Sequence, residues 1–172
     1  MLIIRRYQKS DTQQVGVLIA DTYSEFNLSE VTSEQRDAML GPFLYARSLE
    51  PSHRKNIAEA IHAPTVLVAE IDGQIVGVLR GGRTDSLGRT VLQSLFVSGK
   101  HHRQGIGRKL VERFEKEYIV RGVTVFKLLA TIHAVPFYLE MGYRKSTGVR
   151  SIHSFEGEGL PSQPMKKVLK RK

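Results

Sequence analysis

The sequence predicts a mixed α/β domain, and three patterns carry that expectation. Two β-rich runs, TVLVAEI (65–71) and QIVGVLRGG (74–82), are separated only by Asp72-Gly73, a dipeptide that favours a tight hairpin turn. A third run, RTVLQSLFV (89–97), passes through a short basic loop with glycines into a helical pattern in which Ile106, Leu110 and Phe114 recur every fourth residue. Strand-like and helix-like stretches follow one another as β-α-α(α)-β-β-β-α-β-α-β-β, which is neither a repeat array nor a regular β-α alternation.

Taken in order, residues 2–7 (LIIRRY) read as the first strand. Asp11 is a candidate N-cap for a helix to about Phe26, with Val15, Leu18, Ile19 and Tyr23 at helical spacing. Thr32 and Gln35 have the form of a capping box opening a second helix through Leu44, and a third short helix over 52–62 follows Pro51. The helix after the glycine loop runs to about Arg121, with Val111 widening its apolar stripe, Glu112 and Lys116 pairing on its wet face and Gly122 ending it. VTVFKLLA (123–130) is a strand, and Ala134–Met141 is a short helix with Pro136 in its first turn and Gly142 as its left-handed cap. Tyr143–Arg150 and Gln163–Leu169 read as two last strands around a Gly-rich loop. No linker-like stretch divides the chain, so residues 1–172 are expected to form one domain with a basic tail at about 166–172.

At 172 residues, 41% of them hydrophobic, the chain is long enough to bury a core. No apolar run approaches the roughly 20 residues of a membrane span. The start, MLIIRRYQKSD, turns polar too soon for a signal peptide. The absence of cysteine excludes disulfides, thiolate catalysis and cysteine zinc sites, and makes a cytoplasmic location the expectation. The six histidines make no H-x-x-H or H-x-x-x-H spacing, so no metal is expected. The formal charge of +9 favours an anionic partner: nucleic acid, a phosphorylated cofactor or an acidic substrate.

Gly105 and Gly107 stand one residue apart where a strand hands over to a helix. The first turn of a helix has N–H groups without helical partners and a positive dipole end, and residues without side chains let an anion approach them. A dinucleotide fingerprint fails, because Leu110 occupies the third small position and the next strand, 123–130, has no acid. A Walker loop fails as well, because His101 follows Gly99-Lys100 where Ser or Thr is needed.

His102-Arg103-Gln104-Gly105-Ile106-Gly107 instead resembles the Q/R-x-x-G-x-G/A loop of the GNAT N-acetyltransferase superfamily, with His102 replacing the usual Gln or Arg. Ala134-Val135-Pro136-Phe137-Tyr138-Leu139-Glu140-Met141-Gly142-Tyr143 resembles the A-x-x-F-Y-x-x-x-G-F/Y signature of the same family, with Thr131 where an Asn is common. The likeness extends over about residues 2–169 and implies the GNAT acyl-CoA N-acyltransferase fold, a central, mostly antiparallel sheet flanked by helices. It implies acetyl-CoA as cosubstrate. The backbone N–H groups of Arg103, Gln104, Gly105, Ile106, Gly107 and Arg108 would hold the pyrophosphate. The backbone of Leu95, Phe96 and Val97 would pair with the pantetheine arm like an added strand. Arg103, Arg108 and Lys109 would supply positive charge.

The implied reaction moves an acetyl group to an amine of a small molecule or a protein. Tyr138 resembles the family's general acid: a phenol of pKa about 10 protonates a thiolate of about 8.5 at modest cost. The base stays open. The strand before the loop has no carboxylate, which leaves Glu70, His133, a water chain or an amine of lowered pKa. The acceptor pocket in this fold is usually built by the first helices, here about 21–56, and by the loop between the last strands; Glu25, Glu30 and Glu34 are candidates to attract a cationic amine. Two other classes compete. A non-catalytic acyl-CoA-binding or regulatory domain fits His102, Thr131 and the missing carboxylate. A nucleic-acid-binding protein fits a pI near 9.9, but the chain has no tryptophan, helix-turn-helix pattern or aromatic-basic interleaving. The expected partners are acetyl-CoA and an amine, with a second copy of the chain as a candidate and no membrane.

Overall fold

The Asp72-Gly73 hairpin turn adopts left-handed backbone at both positions, φ 49° and 82°, the geometry whose twist matches paired strands. The structure, a computed structural model, describes residues 1–152 and 159–170. Its strands are β1 (Leu2–Arg6), β2 (Thr65–Ile71), β3 (Gln74–Thr84), β4 (Arg89–Val97), β5 (Val125–Thr131), β6 (Arg144–Lys145), β7 (Arg150–Ile152) and β8 (Leu160–Val168). They form one sheet in the order β1-β2-β3-β4-β5-β8-β6, with β7 also on β8. Every pairing is antiparallel except β4 with β5.

Alternate residues of the central strands feed two cores. Val66, Val68, Val78 and Phe96 pack with α1 (Thr12–Phe26), α2 (Ser33–Leu40) and α3 (Pro51–Ile61). Leu67, Ala69, Leu79 and Leu92 pack with α4 (Ile106–Ile119) and α5 (Val135–Glu140). A strand's period of two sends neighbours to opposite faces, so helices on both sides demand strands that are apolar throughout. β2 is buried over Thr65–Ala69. No helix among the described residues is long and apolar enough to cross a membrane.

The Thr32–Gln35 capping box forms as expected, each side chain bonding the other's backbone. Other expectations need correction. The second helix stops at Leu40 rather than Leu44, because Gly41 turns to φ 53° before Pro42 and residues 41–45 tighten into a 3-10 turn. The strand expected over Tyr143–Arg150 is broken into β6 and β7, each pairing with a different part of β8. The Gly-rich loop after β7 and the last two basic residues, 171–172, lie outside the described residues.

Asp11 does not cap α1 with its side chain. Its carboxylate accepts from Arg5 Nη1 and Nη2 at 2.7 and 2.9 Å and from the Gln8 N–H at 2.8 Å, while Arg5 Nε donates to Glu70 at 2.8 Å. The network ties β1, the turn before α1 and β2 together. Hydrogen bonding to the Arg5 guanidinium holds the buried Asp11 carboxyl below the usual carboxylate range. A depressed carboxyl stabilises the fold above its unfolded pKa, and that contribution is lost as pH falls through the folded value. Asp11→Asn should therefore cost about 1–3 kcal/mol at pH 7, and the gap from the parent should close below pH about 4. Urea unfolding at several pH values measures both.

Candidate active site

β4 and β5 pair over only three positions, Arg89 with Val125, Thr90 with Phe126 and Val91 with Lys127. Beyond Val91 the strands part. β4 stays on β3 to Val97 and β5 stays on β8 to Thr131, and between them opens a cleft of about 790 Å³ bordered by 92–97 and 128–131.

Register decides which backbone groups face this opening. The Ser98 N–H donates to the Val76 carbonyl at 2.9 Å, so by antiparallel alternation Phe96 and Ser94 turn their N–H and C=O toward β3. Leu95 and Val97 turn theirs toward the cleft. The Phe96 side chain goes into the α1 core, edge-on to Tyr23 with ring centroids 6.1 Å apart.

The loop closes the cleft's end. His102 Nε2 donates to the Val97 carbonyl at 2.7 Å, and its ring lies against Phe26 at 4.6 Å. Arg103 (φ 59°) and Gly105 (φ 76°) are both left-handed, which turns the chain sharply enough to start α4 at Ile106. The first helical bond is Lys109 N–H to Gly105 C=O, so the N–H groups of Ile106, Gly107 and Arg108 have no helical acceptor. The Ile106 side chain is buried in the α4 core, leaving only its backbone for the cleft. A Cβ built on Gly107 meets Phe137 at 3.4 Å and Leu95 at 3.6 Å, ordinary contact distances. The protein's own packing thus does not require a glycine there.

Leu95, Phe96, Val97, Arg103, Gly105, Ile106, Gly107, Arg108 and Tyr138 all border this cleft. Gln104 does not; its amide turns back to the Lys100 carbonyl at 3.2 Å. Arg108 faces Glu140 at 3.8 Å across an exposed pair worth little in water. Tyr138 is buried between Phe137 and Tyr143, with centroids at 5.0 and 5.7 Å. No hydrogen bond joins its hydroxyl to another described residue, and burial pushes the phenol's pKa up, so it is protonated at neutral pH.

Neither Glu70 nor any of Glu25, Glu30 and Glu34 borders the cleft, and Glu70 is bound to Arg5. His133 does border it; partial burial first, and then His102, push its pKa below the ordinary imidazole value. Sequence reasoning missed one feature: β4 carries an extra residue at Gln93, between the pairs Arg80–Ser94 and Gly81–Leu92. The two successive polar residues Gln93-Ser94, which interrupt an apolar alternation, were the available signal.

A central, mostly antiparallel sheet flanked by helices is also the fold of solved acetyltransferases. The fold is similar to that of PaiA N-acetyltransferase from Thermoplasma acidophilum in complex with coenzyme A (TM-score 0.75, 14% identity, 98% of this chain and 99% of that one). It is also similar to ribosomal-protein-alanine N-acetyltransferase from Brucella melitensis (0.63, 22%, 97% and 99%). An aminoglycoside 6′-N-acetyltransferase complexed with coenzyme A is a third match (0.65, 17%, 99% and 98%). At these identities the likeness is one of fold. No curated protein matches the chain. The family model of the GNAT acetyltransferase domain matches residues 19–169, and the chain belongs to that family.

His133 should titrate with a midpoint below about 6.5 in a histidine NMR pH series. His102→Gln should raise that midpoint by removing a neighbouring positive charge, and an unchanged midpoint would mean that the two rings do not sense each other.

Proposed function

We propose that this cleft binds acetyl-CoA and transfers its acetyl group to an amine. The observation that carries this reading is the free edge of β4 at Leu95 and Val97, leading directly to the open N–H groups of Ile106, Gly107 and Arg108. An edge strand offers donors and acceptors to an extended amide-bearing chain, as the pantetheine arm is. A helix N-terminus offers N–H groups and a positive potential to a pyrophosphate. The two lie end to end in the order those parts of acetyl-CoA require, and Arg103 and Arg108 add charge at the phosphate end. The His102 ring already holds one lone pair of the Val97 carbonyl, which leaves the Val97 N–H and both Leu95 groups for the arm.

Tyr138 supplies the proton. The amine nitrogen attacks the thioester carbon, the C–N bond forms, the C–S bond breaks, and the Tyr138 hydroxyl protonates the departing sulfur. The proton released by the acylated nitrogen restores the phenol. Burial raises the phenol's pKa, and the same enclosure makes a thiolate a stronger base, so the transfer stays close to balanced. Glu70 is bound to Arg5 and β4 has no carboxylate, so we assign deprotonation of the ammonium, before attack, to solvent or to His133, which borders the cleft. That favours amines of lowered pKa: an α-amine near 7.8 is neutral about a tenth of the time at pH 7, a lysine side chain on the order of once in 2,000.

Gly107→Glu should abolish acetyl-CoA binding by calorimetry while leaving the thermal midpoint close to the parent's, since the carboxylate would repel the pyrophosphate. A variant that still binds would remove the phosphate-site assignment. Tyr138→Phe should lower kcat by ~10²-fold or more with acetyl-CoA affinity nearly unchanged. The loss should shrink with an acyl donor whose thiol leaves more readily. Equal losses for both donors, with weakened affinity, would make the hydroxyl an anchor and not an acid.

A further inference from the structure

The bulge at Gln93 reverses the facing of β4. Leu92 packs in the α4–α5 core, whereas Phe96, an even number of residues later, packs in the α1 core, with Leu95 and Val97 now on the α4 side. One inserted residue produces that change of phase, and it lets two successive side chains share a face. Gln93 and Ser94 are those residues, and both border the cleft beside Thr22 and Tyr23 of α1. Each carries a fully buried oxygen, Gln93 Oε1 and Ser94 Oγ, with no hydrogen-bond partner among the described residues. A buried acceptor left unpaired costs about 1–3 kcal/mol, so two side by side in a cleft call for a donor that no described residue supplies to them.

We infer that the Gln93–Ser94 bulge is the docking point of the acceptor amine, with one N–H donated to Gln93 Oε1 and one to Ser94 Oγ. This builds on the reading of the cleft as an acyl-CoA site. A neutral primary amine has two N–H donors and one lone pair. Two acceptors take both donors and leave the lone pair free to attack. The neighbouring charge has the right sign: Arg80 pairs with Ser94 across the sheet and is half-buried, with its guanidinium on the Ile61 and His62 carbonyls and no carboxylate partner among the described residues. A partly desolvated cation on the neighbouring strand disfavours an ammonium and favours the nucleophilic amine. A carboxamide cannot take a proton, so Gln93 holds the amine without deprotonating it.

The placement also orders the reaction. Gln93 and Ser94 face the α1 side of the sheet, while Tyr138 belongs to the α4–α5 core on the other side. An acetyl group lying at the β4 edge is approached by nitrogen from one side and has its sulfur protonated from the other. Nucleophile and acid do not compete for the same space.

The test uses the full chain saturated with coenzyme A, titrated at pH 8 with glycinamide, an α-amine that is substantially neutral there, and followed by nitrogen-15 NMR. The Gln93 side-chain amide signals, assigned from their loss in Gln93→Met, should move with the amine. Gln93→Met and Ser94→Ala should each weaken amine binding by about tenfold or more while coenzyme A affinity, by calorimetry, stays within about twofold. Removing an unpaired buried oxygen should leave the melting temperature of Gln93→Met equal or higher, which a residue with a merely structural role would not do. Gln93 signals that stay still across the titration, or variants that bind the amine as the parent does, would overturn the inference. Failure to bind coenzyme A would instead strike the proposed function and is read separately, before amine is added.

Discussion

The parting of two parallel strands after three paired positions is the constraint on which everything else depends. β4 is committed to β3 along the hairpin, and β5 is committed to β8 over Val125–Thr131. Neither can follow the other past Val91, where the extra residue at Gln93 begins to bend β4. Backbone groups on a parted edge inside a protein need partners. Helices on both faces keep this edge from being a mere surface strand, and the α4 N-terminus closes one end with three more open N–H groups.

The same bulge separates tasks. By changing the phase of β4 it turns apolar Leu95 and Val97 toward the α4 core and leaves two polar residues facing α1. The buried phenol of Tyr138 is held on the α5 side by aromatic contacts, and no hydrogen bond ties its hydroxyl to another described residue. His102, which stands where the family's loop has Gln or Arg, is not idle. It fixes the end of β4 through the Val97 carbonyl and leans on Phe26 of α1, joining loop, strand and helix at one ring.

Much of this was legible in the sequence, and the limits have physical causes. The hairpin at Asp72-Gly73, the capping box at Thr32–Gln35 and the α4 stripe are local signals, each fixed by residues within one turn, and they appear where expected. The two glycines and the Tyr138 helix also announced themselves, because unusual backbone and motif spacing survive in a linear code. The carboxylate partners did not. Asp11 looked like a helix cap and Glu70 like a base, yet Arg5, distant in sequence from Glu70, claims both. A bulge is also non-local, since it exists only relative to the partner strand; the polar pair Gln93-Ser94 interrupts the alternation of VLQSLFV but does not say which residue β3 leaves unpaired.

Amide hydrogen exchange at β4 tests the central claim most directly. The Leu95 and Val97 N–H groups face the cleft, while the Phe96 N–H faces β3 and already has its partner. Saturating acetyl-CoA should slow exchange at Leu95 and Val97 by about tenfold or more and leave Phe96 nearly unchanged, the alternating signature of a strand added at a free edge. Uniform slowing along β4, or binding that leaves Leu95 and Val97 as exposed as before, would contradict the account.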